Sequence, residues 1–283
     1  MAVLGPRGTF SYAAFLVLNE QAGSCFGPVE TRDNLSTILT LVNGEAGYAL
    51  VPVSNNVTGA VSETLGFLAQ MAFPSDVRRS GHPFSVVGEL AYPVCHSLVG
   101  WKGDSLEDVR DVYSHPQALA QCFGWVSVNL PQAALHTTPT TVAGASEITM
   151  SGIAAIAQPD ILGENCTVLA EGIHPEGNAT RFLIVAQRGL GLPIEAKVDR
   201  ATFVVAIRDE PGSLLRVLNH LADCQLTEIF SIPKPDNHGR GERIFWVDLQ
   251  FDTMVNLPQL EYDLRRSAAD CLINLGVYPA ITV

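Results

Sequence analysis

From its first residues the chain alternates short aliphatic, β-branched runs with helical patterns, and this alternation restricts it to sheets covered by helices. Val3-Leu4 leads through Gly5-Pro6-Arg7-Gly8 into Thr9-Phe10-Ser11-Tyr12-Ala13-Ala14-Phe15-Leu16, which reads as a strand, a glycine turn and a helix with hydroxyl caps. Asp33 and Asn34 suit the cap of a helix that runs through Leu41 and Val42 and ends at Gly44, and residues 48–53 read as the next buried strand. A strand signal over 109–113 runs into Ser114-His115-Pro116-Gln117-Ala118-Leu119-Ala120-Gln121-Cys122, where Ser114 suits a cap and Pro116 a first helical turn. With further strands at 153–157 and 182–186, the pattern predicts an α/β domain with a largely parallel sheet.

Polarity rises over 187–200, where Gly189, Gly191, Pro193 and Glu195 punctuate the chain, and this predicts a boundary between a unit at 1–188 and a smaller one at 200–283. A length of 283 residues suits two cores. Beyond the boundary, strand 202–207, helix 211–222, strands 226–232 and 244–251, helix 257–275 and strand 277–283 give the order βαββαβ. That order predicts an antiparallel, ferredoxin-like sheet covered by two helices, with a long polar loop over 233–241.

Hydrophobic residues make up 47% of the chain against 16% charged, so a large core is available and disorder is excluded. The net charge of −12 argues against a sequence-independent hold on nucleic acid, which needs clustered Lys and Arg. It does not exclude a small anionic substrate, because one Arg or a few oriented N–H groups outweigh a diffuse field inside a cleft. The six cysteines, Cys25, Cys95, Cys122, Cys166, Cys224 and Cys271, stand singly and read as reduced core thiols. His82, His96, His136, His174, His220 and His238 lack metal spacing and read as structural or solvated, so no metal or other cofactor is expected. No export signal or bilayer-length apolar run is apparent, which predicts a cytoplasmic protein.

Three segments taken together resemble prephenate dehydratase: Gly5-Pro6-Arg7-Gly8-Thr9-Phe10-Ser11, the Ser114 to Cys122 run, and Asn178-Ala179-Thr180-Arg181-Phe182. The C-terminal unit, with Pro211-Gly212-Ser213-Leu214-Leu215 opening its first helix, resembles the ACT regulatory domain that often follows that catalytic domain. The resemblance implies two α/β lobes similar to periplasmic binding proteins, a cleft between them that binds prephenate, and a homodimer or homotetramer. It also implies that Thr180 is a central catalytic group.

Prephenate carries two carboxylates, a keto group and a ring hydroxyl, so its site needs a cation or oriented N–H donors for the acids and neutral donors for the other oxygens. Arg181 is the candidate cation. Thr9, Ser11, Ser114, Gln117, Gln121 and Phe182 are candidate substrate contacts, and Thr180, Arg181, Asn55 and Ser54 are candidate catalytic residues.

Two departures from the family pattern shape the functional expectation. Dehydratases typically show Glu-Asn-Ser after the third strand, whereas this chain shows Ser54-Asn55-Asn56. Expelling the ring hydroxyl requires a proton donor, and serine is a poor substitute for a carboxylic acid. This predicts a non-aromatising prephenate decarboxylase of secondary metabolism, with a dehydratase making phenylpyruvate as the alternative and a small-molecule sensor as the non-enzymatic reading. In the C-terminal unit, Phe230-Ser231-Ile232-Pro233 stands where phenylalanine-sensing domains resemble Glu-Ser-Arg-Pro, and Gln225 replaces an Asn. Gly212, Ser213, Leu214, Gln225 and Ser231 are the candidate regulatory positions, with weakened affinity for a zwitterion and a remaining role in dimerisation.

Overall fold

The computed structural model describes residues 1–42, 44, 46–72, 83–159, 163–207, 210–233, 243–252, 255–267 and 269–282. His82, His238 and all of the polar loop except Pro233 lie outside them. The chain opens with β1 (Ala2–Leu4), α1 (Phe10–Gln21), β2 (Glu30–Arg32), α2 (Leu35–Val42), β3 (Tyr48–Asn55), β4 (Gly59–Ala60), α3 (Ser62–Ala72) and β5 (Phe84–Pro93). A second lobe follows: β6 (Ser97–Trp101), β7 (Asp111–Ser114), α4 (Pro116–Asn129), β8 (Ala134–Thr137), α5 (Thr141–Ser146), β9 (Ile153–Ala157) and β10 (Cys166–Ala170). Strand β11 (Ala179–Gln187) returns to the first lobe. The remainder is β12 (Val198–Ile207), α6 (Ser213–His220), β13 (Gln225–Pro233), β14 (Arg243–Gln250), α7 (Leu257–Ser267) and β15 (Ala269–Thr282).

The second lobe holds its own sheet in the order β10-β6-β9-β7-β8. Pairing is parallel in β2-β1-β3 and β9-β7-β8 but antiparallel where β11, β6 and β10 join, so both sheets are mixed rather than largely parallel. The reason lies in the two crossings, after β5 and before β11. They bring the chain back into a lobe it has already left, and the returning strand β11 runs against both of its neighbours.

The C-terminal strands pair antiparallel in the order β13-β14-β12-β15, the expected ferredoxin-like arrangement. They do not form a separate sheet. The end of β15 runs parallel to β5, with Ala280, Ile281 and Thr282 opposite Glu89, Leu90 and Ala91, so ten strands are continuous. One shared core gathers Val53, Leu65, Leu68 and Phe84 from the first lobe with Val204, Ile244, Trp246 and Tyr278 from the C-terminal unit. A different cluster, with Phe203, Val217, Leu249 and Leu264, lies under α6 and α7.

The helix expected over 257–275 ends at Ser267, and residues 269–275 extend into β15 instead. Their apolar run fits either period, and five paired positions along β12 decide for strand. Among the cysteines, the core expectation holds for buried Cys122, whereas Cys25 and Cys95 are exposed; none of the six is in a disulfide. Among the described residues no helix is long and apolar enough to cross a membrane.

Candidate active site

A cavity of about 590 Å³ opens between the lobes. The first lobe lines it with the β1–α1 turn and the start of α1, the start of α2, and the ends of β3 and β11. The second lobe contributes the starts of α4 and α5, and Val94 and His96 come from the crossing between lobes. Helix starts collect here for a local reason: each capping side chain bends the chain away from the sheet. Thr9 Oγ1 accepts from the Tyr12 amide at 3.4 Å, Asn34 Oδ1 from Thr37 at 2.9 Å, and Thr140 Oγ1 from Ala143 at 3.0 Å. For α4 the cap is His115, whose Nδ1 accepts from the Gln117 amide at 3.3 Å, rather than the expected Ser114.

Thr9, Ser11, Asn55, Gln117, Gln121, Thr180 and Phe182 all line the cavity, as expected for a substrate site. Ser114 does not. It is fully buried in the second lobe, where its Oγ donates to the Ile156 carbonyl at 2.6 Å, because its position at the end of β7 points it into the sheet packing.

A directed chain of hydrogen bonds ties these residues together. Asn55 is only 4% exposed, and its Oδ1 accepts from the amides of Val57 (2.9 Å) and Thr58 (3.1 Å) and from Gln121 Nε2 (3.2 Å). Those backbone donors fix the amide orientation, which turns Nδ2 towards Thr180 Oγ1 at 3.1 Å, Asn178 Oδ1 at 2.8 Å and the Ala179 carbonyl at 3.0 Å. Gln121, with its Nε2 committed to Asn55, presents Oε1 to Asn178 Nδ2 (3.1 Å) and His96 Nε2 (2.8 Å). His96 therefore carries its proton on Nε2. The direction runs from His96 to Gln121, to Asn55, to Thr180, so that Thr180 accepts within the network and keeps its own O–H available to the cavity.

His96, read from the sequence as structural or solvated, is a residue that sequence reasoning missed. It lines the cavity, is 2% exposed, stands edge-to-face with Phe10 at 5.1 Å, and its Nδ1 has no hydrogen-bond partner among the described residues. Burial, only partly offset by Gln121, brings its pKa down to about 4, so the ring is neutral at neutral pH. Nothing at sequence level marks it, since the chain reaches the site there by a loop. Asn178 was similarly visible only as the start of a motif.

Arg181 and Ser54 are placed away from the cavity. Side chains alternate along β11, so with Thr180 and Phe182 facing the cleft, Arg181 faces the opposite side. There its Nε donates to Ser54 Oγ at 3.2 Å, Nη1 to Glu89 at 3.0 Å, and Nη2 to Asp248 of the C-terminal unit. Burial works against its charge, but the Asp248 and Glu89 carboxylates outweigh that and hold its pKa above the ordinary range. Arg181 is thus already neutralised inside the protein and does not serve as the cavity's cation. No Lys or Arg occurs among the described residues lining the cavity. Ser54 accepts from Arg181 and is not among the residues lining the cavity, so position 54 does not reach a ligand's ring hydroxyl.

In the C-terminal unit, Gly212 takes a left-handed conformation at the cap of α6, Ser213 Oγ accepts from Arg216 at 2.7 Å, and Leu214 follows in the first turn. Gln225 and Ser231 lie on β13 six residues apart, about 20 Å along an extended strand. Within one chain, a single amino acid does not touch both. Ser231 is engaged by Arg243 through its hydroxyl and, at 3.0 Å, its carbonyl.

The prephenate dehydratase family profile matches residues 1–189. The bifunctional chorismate mutase/prephenate dehydratase of Aquifex aeolicus is 32% identical over 99% of this chain and 73% of its own length. The prephenate dehydratase of Mycobacterium ulcerans is 30% identical over 88% of this chain and 78% of its own. Among solved structures, the prephenate dehydratase of Arthrobacter aurescens in complex with L-Phe superposes with a TM-score of 0.79 at 29% identity, covering 98% of this chain and 89% of that one. The cleft described above, built on the segments that carry the sequence resemblance, lies within the matched region, and the chain belongs to the prephenate dehydratase family.

Proposed function

We propose that this chain is a lyase that converts prephenate to phenylpyruvate, carbon dioxide and water, with residues 1–188 as its catalytic unit and residues 200–283 as an ACT-type regulatory unit. The observation that carries the reading is the directed bond chain ending on Thr180, whose hydroxyl oxygen is engaged by Asn55 while its proton is free. Bonds of one direction polarise each other, which makes the terminal O–H a better donor than an isolated threonine. In this reading Thr180 donates to the departing ring hydroxyl as the ring carboxylate leaves. The C–C bond electrons move through the ring and expel the C–O bond, one proton is taken up overall, and oxygen leaves as water.

With no Lys or Arg among the described residues lining the cavity, helix starts serve the substrate's carboxylates. The 12-residue α1 and 14-residue α4 both begin at the cavity wall and carry the partial positive charge of a helix start there. Gln117, whose Nε2 donates to Thr58 Oγ1 at 2.7 Å, and Ser11 add neutral polar groups to a lining that also holds the carboxyl groups of Asp33 and Glu63. Desolvating the ring carboxylate among Phe10, Val61, Val94 and Phe182 favours its loss as carbon dioxide.

The non-aromatising decarboxylase is the second reading. Its original ground, the missing acid at position 54, weakens because that side chain sits behind the strand. A different observation favours it: the buried histidine of the cavity is neutral, with a pKa of about 4, and its single N–H is engaged by Gln121, so it offers no acidic imidazolium proton to the hydroxyl at neutral pH. In that case the proton is taken up by a ring carbon and the hydroxyl stays. Incubating the protein with prephenate at neutral pH and identifying the product by mass and ultraviolet absorption separates the two. Phenylpyruvate supports the dehydratase, a non-aromatic product heavier by one water supports the decarboxylase, and unchanged prephenate rejects both.

A further inference from the structure

The cavity explains Thr180 and Asn55, but it leaves unexplained a buried ionic cluster directly behind them. Thr180 and Asn55 are opposed across β11 and β3, and the next pair, Arg181 and Ser54, is opposed on the other face. The register shifts immediately afterwards, between Arg181 and Phe182. At such an irregularity the ladder no longer fixes the strand's direction by itself, and side-chain anchors take over.

Both members of the Arg181–Ser54 pair are anchored in the C-terminal unit. Arg181 Nη2 donates to Asp248 of β14, and Ser54, which accepts from Arg181, lies beside the Glu228 carboxyl of β13. Asp248 is 1% exposed and does not swing freely: Thr202 Oγ1 donates to its Oδ1 at 2.6 Å. With its proton spent there, Thr202 accepts from Tyr278 at 2.6 Å. Tyr278 lies two residues before Ala280, where β15 joins β5. A rigid path therefore runs from the C-terminal sheet to the residue next to Thr180.

We propose that Asp248, together with Glu228, is a positioning residue for the reaction: through Arg181 and Ser54 it sets the direction in which Thr180 and Asn55 face the cavity. This rests on the prephenate-turnover reading for its kinetic test, and the C-terminal unit becomes part of the catalytic architecture rather than an appendage. A shift of β13 or β14 reaches the reacting hydroxyl one residue away, without a ligand entering the cleft.

The experiment uses the full chain carrying Asp248→Asn, which keeps size but removes the charge and one of the two acceptor oxygens that Arg181 and Thr202 share. The expected result is a fall in kcat of about 10- to 100-fold, in line with a displacement of roughly 1 Å at a reacting group, with KM changed less than threefold. In methyl-labelled protein the Thr180 methyl resonance moves. Adding Ser54→Glu places a carboxylate opposite Arg181 from the first lobe's own strand, and recovers kcat to within threefold of wild type. A merely structural role for Asp248 would not give that recovery, because residue 54 does not repair the packing of β14.

A folded Asp248→Asn protein with wild-type kcat and an unmoved Thr180 methyl overturns the proposal, as does a loss of kcat that Ser54→Glu leaves unchanged. If wild-type protein leaves prephenate intact, the functional reading fails separately, and the Thr180 resonance alone decides positioning. If Asp248→Asn does not fold, half-buried Glu228→Gln is the second variant. It is expected to move the same resonance, and an unmoved one overturns the proposal.

Discussion

Asn55 Nδ2 lies 3.1 Å from Thr180 Oγ1, and the same asparagine accepts from Gln121 of the opposite lobe at 3.2 Å. One buried amide thus joins the two walls of the cleft and orients the hydroxyl between them.

Replacing Thr180 with Val preserves shape while removing the donor. Turnover of prephenate is expected to fall by about 10²- to 10⁴-fold, the usual worth of a positioned proton donor, and Thr180→Ser should retain most of it. Steady-state product formation measures both, and wild-type turnover in Thr180→Val would show that the hydroxyl is not the donor.

Asn55→Leu leaves the Val57 and Thr58 amides and Gln121 Nε2 without their acceptor in a buried setting. Each orphaned group costs about 1–3 kcal/mol, so the urea midpoint should drop well beyond the loss of a single contact. Unchanged stability would mean that water replaces the amide.

His96 gives a pH signature. Its pKa falls from 6.5 to about 4 on folding, so between those values the unfolded chain binds the proton and the folded chain does not. Stability contributed by the neutral ring is therefore complete above pH 6.5 and is lost progressively as pH falls to about 4, by at most about 3 kcal/mol. His96→Gln, whose amide can still meet Gln121, should flatten this part of the stability–pH curve; identical curves for both proteins would exclude the assignment.

Ser54→Ala should leave the identity of the product unchanged, because the side chain contacts Arg181 and Glu228 rather than the cavity. A switch between aromatic and non-aromatic product on this substitution, seen by mass, would restore position 54 to the chemistry.

Gly276 marks the close approach of β15 to β5: a Cβ built there overlaps the Val86 carbonyl, which as backbone does not turn aside. Gly276→Ala should destabilise the junction by about 1–3 kcal/mol or more, and lower the unfolding midpoint. An unaltered midpoint would indicate that the strands separate there at no cost.

The sequence alone determined the α/β character, the βαββαβ order of the last third and the segments that bear the cleft, because strand and helix periods and capping residues are local signals. Thr9, Asn55, Gln117 and Thr180 were legible since each stands at or next to the end of such an element, and Gln121 because it follows Gln117 by one turn of α4, facing the gap the elements leave. Which way a side chain faces was not. Arg181 and Ser54 read as site residues by adjacency, yet alternation along β11 and β3 sends them behind the sheet, to partners 67 and 127 positions away in sequence. His96 acquired its character only from burial and from Gln121, and Asp248 only from the continuous sheet that carries the C-terminal unit against the first lobe. Such long-range pairings leave no periodic trace in the chain, and only tertiary packing fixes them.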